Sequence, residues 1–226
     1  MYDFVTGPLA WLAFLIFFFG IIIRTIRYIR GLDWKLDRVT YSKNIAYGIR
    51  GALRSILFWL FPFGTRSYRN NASFTVAVFL FHIGLLFTPF FLKAHNIILK
   101  ERWGISFWTI SDPVADTLTL IVMIAVGFLI LRRIALPEVR IVTTAYDYIL
   151  LLIAIAPFIT GYMAFHQPVS GYDFWLIAHI ISGEIMLIAI PLTKLSHFFF
   201  FFLSRAQLGM DYGIKRGGMK GHGMAW

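Results

Sequence analysis

Five long apolar runs constrain this chain most. They are Val5–Ile23, Phe74–Leu92 with a continuation toward Ile98, Val114–Leu131, Tyr148–Phe165 and Phe174–Leu203. A helix that crosses a bilayer needs about 20 mostly apolar residues, because the backbone must satisfy its own polar groups there. As one helix the last run would be about 45 Å long, so it is expected to tilt or project. Of the 226 residues, 59% are hydrophobic and 14% charged. A soluble domain carries roughly a quarter charged residues, and one small core cannot hide this much apolar surface. This composition argues against a soluble enzyme and against a disordered chain. The expected class is all-α, a polytopic membrane protein forming a single membrane domain. The first run has no basic segment before it and no small-residue cleavage site behind it, so it reads as a retained helix.

Charge supplies the orientation. Of the 21 Lys and Arg, ten lie in residues 24–73, three in 132–142 and four after Leu203. Only Lys100 and Arg102 lie between the second and third runs, and none between the fourth and fifth. The positive-inside rule then predicts five transmembrane helices with the N-terminus outside and the C-terminus inside. The net charge of +10 thereby reads as topology and attraction to anionic lipid, with no need for nucleic acid. Within the basic cytoplasmic loop, Ile45, Ile49, Leu53, Ile56, Leu57 and Leu60 recur near helical spacing, with Arg50 and Arg54 off that stripe. This pattern predicts an interfacial amphipathic helix ending near Pro62 and Gly64. Residues 204–226 read as a basic cytoplasmic tail.

With no cysteine in the chain, disulfides, thiolate catalysis and Cys-ligated iron–sulfur clusters are excluded. Histidine is left as the main metal ligand. Of six histidines, five (His82, His95, His166, His179 and His197) fall in or at the ends of spans two, four and five. Ionisable groups inside a membrane are costly and mark sites, or else bond to a neighbouring helix. His179 and His197 are 18 residues apart, which is five turns and about 27 Å on a continuous helix. That separation is too long for one ion and suits two sites at two depths. Spans two and five run antiparallel, which pairs His82 with His197 toward the inner side and His95 with His179 toward the outer. Bis-imidazole ligation of haem iron needs one ring from each side of the macrocycle, and facing helices supply that. His82 and His95 are 13 residues apart, about 140° out of phase on an ideal helix, with Pro89 between them as a candidate kink.

Three further residues are candidates. His166 ends span four and is an alternative outer ligand, a quinone contact or an interfacial histidine. Glu184 is the one acid deep in span five, either a structural hydrogen bonder or a proton relay. Lys194 precedes His197 by three residues and either snorkels to the interface or pairs with a haem propionate. Gly84 and Gly183 stand near His82 and His179, where small residues leave flat space or simply let helices approach. His222 lies in the Gly-rich tail and reads as solvent-exposed. There is no P-loop, Rossmann fingerprint, zincin motif or nucleophile elbow.

Phe81-His82-Ile83-Gly84 on span two and the 18-residue His179/His197 spacing resemble the gamma-subunit family of respiratory nitrate reductase, dihaem cytochromes b. The resemblance covers about residues 5–203 and implies two haem b. His82 and His197 would hold the inner haem, and His95 and His179 the outer. This sequence departs from the family's shorter spacing between the two span-two histidines. The long basic loop and Pro157-Phe158-Ile159-Thr160-Gly161 look more like the cytochrome b subunits of the high-molecular-weight cytochrome complexes of sulfate reducers. That resemblance implies a multi-pass subunit of a membrane redox complex in the cytoplasmic membrane. It implies exchange with menaquinone, a cytoplasmic iron–sulfur partner and a periplasmic multihaem cytochrome c. Two other readings stay open: a haem-free quinone-binding anchor, and a proton or ion transporter using Glu184 and the histidine row.

Overall fold

The computed structural model describes residues 1–32, 45–169 and 171–215. Among them there is no strand. The helices are α1 (Tyr2–Gly31), α2 (Ile45–Leu60), α3 (Arg66–Asn70), α4 (Ala72–Phe91), α5 (Lys93–Trp103), α6 (Asp112–Ala135), α7 (Pro137–Arg140), α8 (Ala145–His166), α9 (Tyr172–Leu192) and α10 (His197–Lys215). Five of these, α1, α4, α6, α8 and α9, are long and apolar enough to cross a membrane. The chain is a multi-pass membrane protein of all-helical fold. His222 and three of the loop's basic residues, Lys35, Arg38 and Lys43, lie outside the described residues.

Local chemistry sets the helix ends. Pro8 has no N–H to donate, and Val5–Leu9 winds as a π-helical stretch around it. At the start of α6, Asp112 and Pro113 occupy the first turn, where a missing N–H costs nothing. Leu136 is extended before Pro137 and ends the same helix. A capping box between Thr144 and Asp147 opens α8. Left-handed Gly104 closes α5 and Gln167 closes α8.

Two apolar runs are not single helices. The run expected over 74–98 breaks at Leu92, whose backbone is extended, and restarts as α5. The run expected over 174–203 ends at Leu192. Thr193 is extended, its hydroxyl accepts from the Leu195 N–H, and a 3₁₀ turn Lys194–Ser196 leads into α10. Each break follows a proline by two or three residues, Pro89 and Pro191. Proline weakens the helical ladder while Leu and Phe keep the sequence apolar across the break. His179 and His197 therefore stand on different helices and share no five-turn phase.

The chain forms two compact units. Unit 1 comprises residues 1–13 and 76–187, and unit 2 comprises 14–75 and 188–226. Unit 1 is built round Phe81, Val122, Ala125, Val126, Ala154, Ile155 and Phe158, from α4, α6 and α8. Gly84 is the point of close approach. A Cβ there would run into Val122 and stand 3.2 Å from the Leu118 carbonyl. Gly84 therefore serves helix packing rather than room for a macrocycle. In unit 2, α2 lies on α10 through a seam of small residues. Gly48, Gly51 and Ser55 are buried, and a Cβ on Gly209 would strike Gly51 and Ser55.

Candidate haem-ligating histidine site

The site in unit 1 is made by α5, α8 and α9. The break at Leu92 frees the Pro89 carbonyl, and His95, in the first turn of α5, places its Nδ1 2.9 Å from that oxygen. On α9, His179 places its Nδ1 2.8 Å from the Pro157 carbonyl of α8. A carbonyl oxygen only accepts, so in both rings Nδ1–H is the donor. In the neutral imidazole the lone pair is then on Nε2. This is the arrangement that orients a metal-ligating histidine.

The two rings stand 5.8 Å apart between centroids, with planes 19° from parallel. Each ring keeps its Nε2 lone pair, so the two imidazoles would be able to hold a haem iron and supply its one-electron chemistry with ligands. One turn below His179, a Cβ on Gly183 would meet nothing within 4 Å, which leaves open space on that face. Two polar groups of α4 and α9 are orphaned: the Thr88 hydroxyl and both oxygens of Glu184 are buried without a hydrogen-bond partner among the described residues. Buried unpaired oxygens are costly and point to a missing polar group or proton.

Helix α8 builds the cradle for His179. Gly161 leaves the room the ring occupies, since a Cβ there would stand 2.9 Å from His179 Cε1. Thr160 donates to the Ala156 carbonyl at 2.7 Å and lies 3.1 Å from the Ser182 hydroxyl. Ser182 in turn donates to the His179 carbonyl at 2.9 Å. The sequence motif Pro157–Gly161 thus supplies acceptor, hydroxyl and clearance together, a role that its apolar context hides.

Asn96 locks α5 in place. It is buried, donating to the Phe90 carbonyl at 2.7 Å and the Leu92 carbonyl at 3.1 Å, and its Oδ1 accepts from the Phe107 N–H at 2.7 Å. Arg102, at the far end of α5, donates to the Thr6 carbonyl, and Trp103 stacks edge-on against Trp11.

His166 is placed elsewhere. Its Nε2 is 3.0 Å from the Asp116 carboxylate of α6, and its ring lies against Tyr162 at 4.3 Å. The structure brings His95 and His179 together and engages His166 in a hydrogen bond with Asp116. Asp116 is a partner that the sequence marks only as an acid in the first turns of span three.

His82 and His197 belong to different units, and each has its own local setting. The Nδ1 of His82 approaches the Val78 carbonyl at 2.7 Å, one turn back along α4. The Nδ1 of His197 approaches the Lys194 carbonyl at 2.9 Å, and His197 is exposed at the first position of α10. Both rings therefore hold the tautomer seen in the His95/His179 pair. Lys194 is exposed in the 3₁₀ turn. In the same unit, Arg24 of α1 donates from Nη1 to the Pro191 carbonyl at 2.9 Å and the Thr193 carbonyl at 2.8 Å. It thereby satisfies the helix end that the Thr193 break exposes. A Cβ on Gly20, one turn before Arg24, would stand 2.6 Å from the Pro191 ring.

Among known proteins, no family model matches the chain. No solved structure matches it either. A protein of Nitratidesulfovibrio vulgaris (strain Hildenborough), described only as "Protein", is 55% identical over 227 residues, covering 100% of each chain.

Proposed function

The chain belongs to one family with that Nitratidesulfovibrio vulgaris protein, and from its own histidines we propose that it is a membrane cytochrome b, the electron-carrying subunit of a respiratory redox complex. The observation that carries the reading is the His95/His179 pair, 5.8 Å apart with each Nδ1 on a proline carbonyl. Haem supplies one-electron redox chemistry; the chain supplies ligation, orientation and a low dielectric. His95 and His179 would hold the outer haem b. The Pro89 and Pro157 carbonyls fix both rings and raise their basicity as ligands. A second haem b, with His82 and His197 as ligands, rests on the resemblance alone. The same resemblance supports the nitrate reductase gamma-like and sulfate-reducer assignment. It also supports menaquinone exchange, a cytoplasmic iron–sulfur partner on the basic loop and a periplasmic multihaem cytochrome c, in the cytoplasmic membrane with the N-terminus out.

A pyridine haemochrome assay and a reduced-minus-oxidised spectrum of the purified full chain test the proposal. Two b-type haems per chain are expected. A chain purified without haem from a haem-competent host, and unable to take haem up, would falsify it. Glu184 favours a second reading: its unpaired buried carboxyl suits a haem-free quinone anchor or a proton carrier, and the haem-free outcome selects that reading.

A further inference from the structure

Helix α2 divides into three faces. At 100° per residue, Gly48, Gly51 and Ser55 share the side packed on α10. Ile45, Ile49, Leu53, Leu57 and Leu60 fall within about 120° of one another on a different side. They remain 43–56% exposed. Arg50 and Arg54 follow at the edge of that stripe, both exposed. The Gly–Ser seam is therefore what turns the apolar stripe outward. The Arg205 guanidinium, 4.5 Å above the Trp59 ring, adds a second tie between α10 and α2.

Two facts select the occupant of this stripe. First, α2 lies in the connection between two membrane-length helices, with only residues 61–71 between its end and α4. At about 3.5 Å per residue that connection reaches less than 40 Å, so α2 cannot leave the neighbourhood of a bilayer surface. Second, residues 45–71 contain four arginines (Arg50, Arg54, Arg66 and Arg69) and no acidic residue. A five-residue exposed apolar stripe flanked by cations, held near a bilayer, has the chemistry of a helix lying in the headgroup region. We propose that α2 is an anionic-phospholipid binding element: its stripe enters the acyl boundary, and Arg50 and Arg54 hold lipid phosphates. This goes beyond electron transfer and does not depend on haem.

The absence of native cysteine makes the test direct. Leu53→Cys in the full chain is labelled with an environment-sensitive fluorophore and placed in nanodiscs of phosphatidylcholine with or without phosphatidylglycerol. The expected result is blue-shifted emission, quenching by nitroxide-labelled phosphatidylglycerol and shielding from aqueous iodide. Each arginine contributes about fivefold to association with an anionic surface. Arg50→Gln together with Arg54→Gln should therefore abolish most of the preference for phosphatidylglycerol while leaving the label shielded. Leu57→Cys on the same face repeats the measurement should the first variant fail to fold. A label open to iodide in nanodiscs overturns the proposal. So does shielding with no lipid preference, or shielding that appears only at protein concentrations where two copies associate.

Discussion

Gly161 lies so close to the imidazole of His179 that a Cβ would stand 2.9 Å from Cε1 and 3.0 Å from Nδ1. A helix position usually indifferent to alanine is here a fixed clearance. Gly161→Ala must push the ring away from the Pro157 carbonyl that orients it. Overpacking of this kind costs about 1–3 kcal/mol. The expected outcome is one haem lost, or its midpoint potential shifted, with the other unchanged. Redox titration of the purified variant against the parent checks it.

His179→Ala and His166→Ala should separate cleanly. His179 faces His95, whereas His166 is held by Asp116. The first variant is expected to halve the haemochrome yield per chain. The second should leave it intact. Equal haem loss in both would place the outer ligand at His166.

Arg24→Gln removes charged donation to two carbonyls, those of Pro191 and Thr193. Hydrogen bonds to charged groups contribute about 1.5–3 kcal/mol, and stranded carbonyls add their desolvation cost. Thermal unfolding in detergent should show a clear loss of stability, on the order of 3 kcal/mol. Arg24→Lys should recover part of it, because an ammonium reaches one carbonyl more readily than two.

Asn96→Ala leaves the Phe107 N–H and the Phe90 carbonyl without their partner. The expected cost is about 1–2 kcal/mol, from two partly buried groups left without their partner. Because Asn96 follows His95 directly, the same variant should broaden the His95-dependent haem signal in electron paramagnetic resonance. Asn96→Asp, which keeps the acceptor for Phe107, should be milder.

The five spans were legible because bilayer length and apolar composition are properties of contiguous sequence. Two starts came out within three residues of the apolar runs, Asp112 against Val114 and Ala145 against Tyr148, while the caps beside them went unread. The breaks at Leu92 and Thr193 were not legible, since apolar residues continue through both and proline alone does not say whether a helix bends or stops. That mattered for the site. The 140° phase difference between His82 and His95 supposed a continuous helix, and the extended Leu92 removes it. The histidine candidates were visible as ionisable groups in apolar runs. The groups that orient them, the Pro89 and Pro157 carbonyls and the Gly161 clearance, were not, because a backbone oxygen or a missing Cβ leaves no chemical signature in sequence. On α2 the apolar stripe concealed the small-residue seam that does the packing.

The clasp of Arg24 on the end of α9 also orders events in time. Its donors and acceptors are separated by 167 and 169 residues. At about 5–20 residues per second of synthesis, the acceptor carbonyls exist only some ten to thirty seconds after Arg24 has left the ribosome. Through that interval the guanidinium must be solvated by headgroups or water, and only later does it act as a helix cap. This contact within unit 2 therefore cannot form until residues 191–193 have been made. A chain truncated before Pro191 would leave the first helix without its clasp and open to membrane quality control.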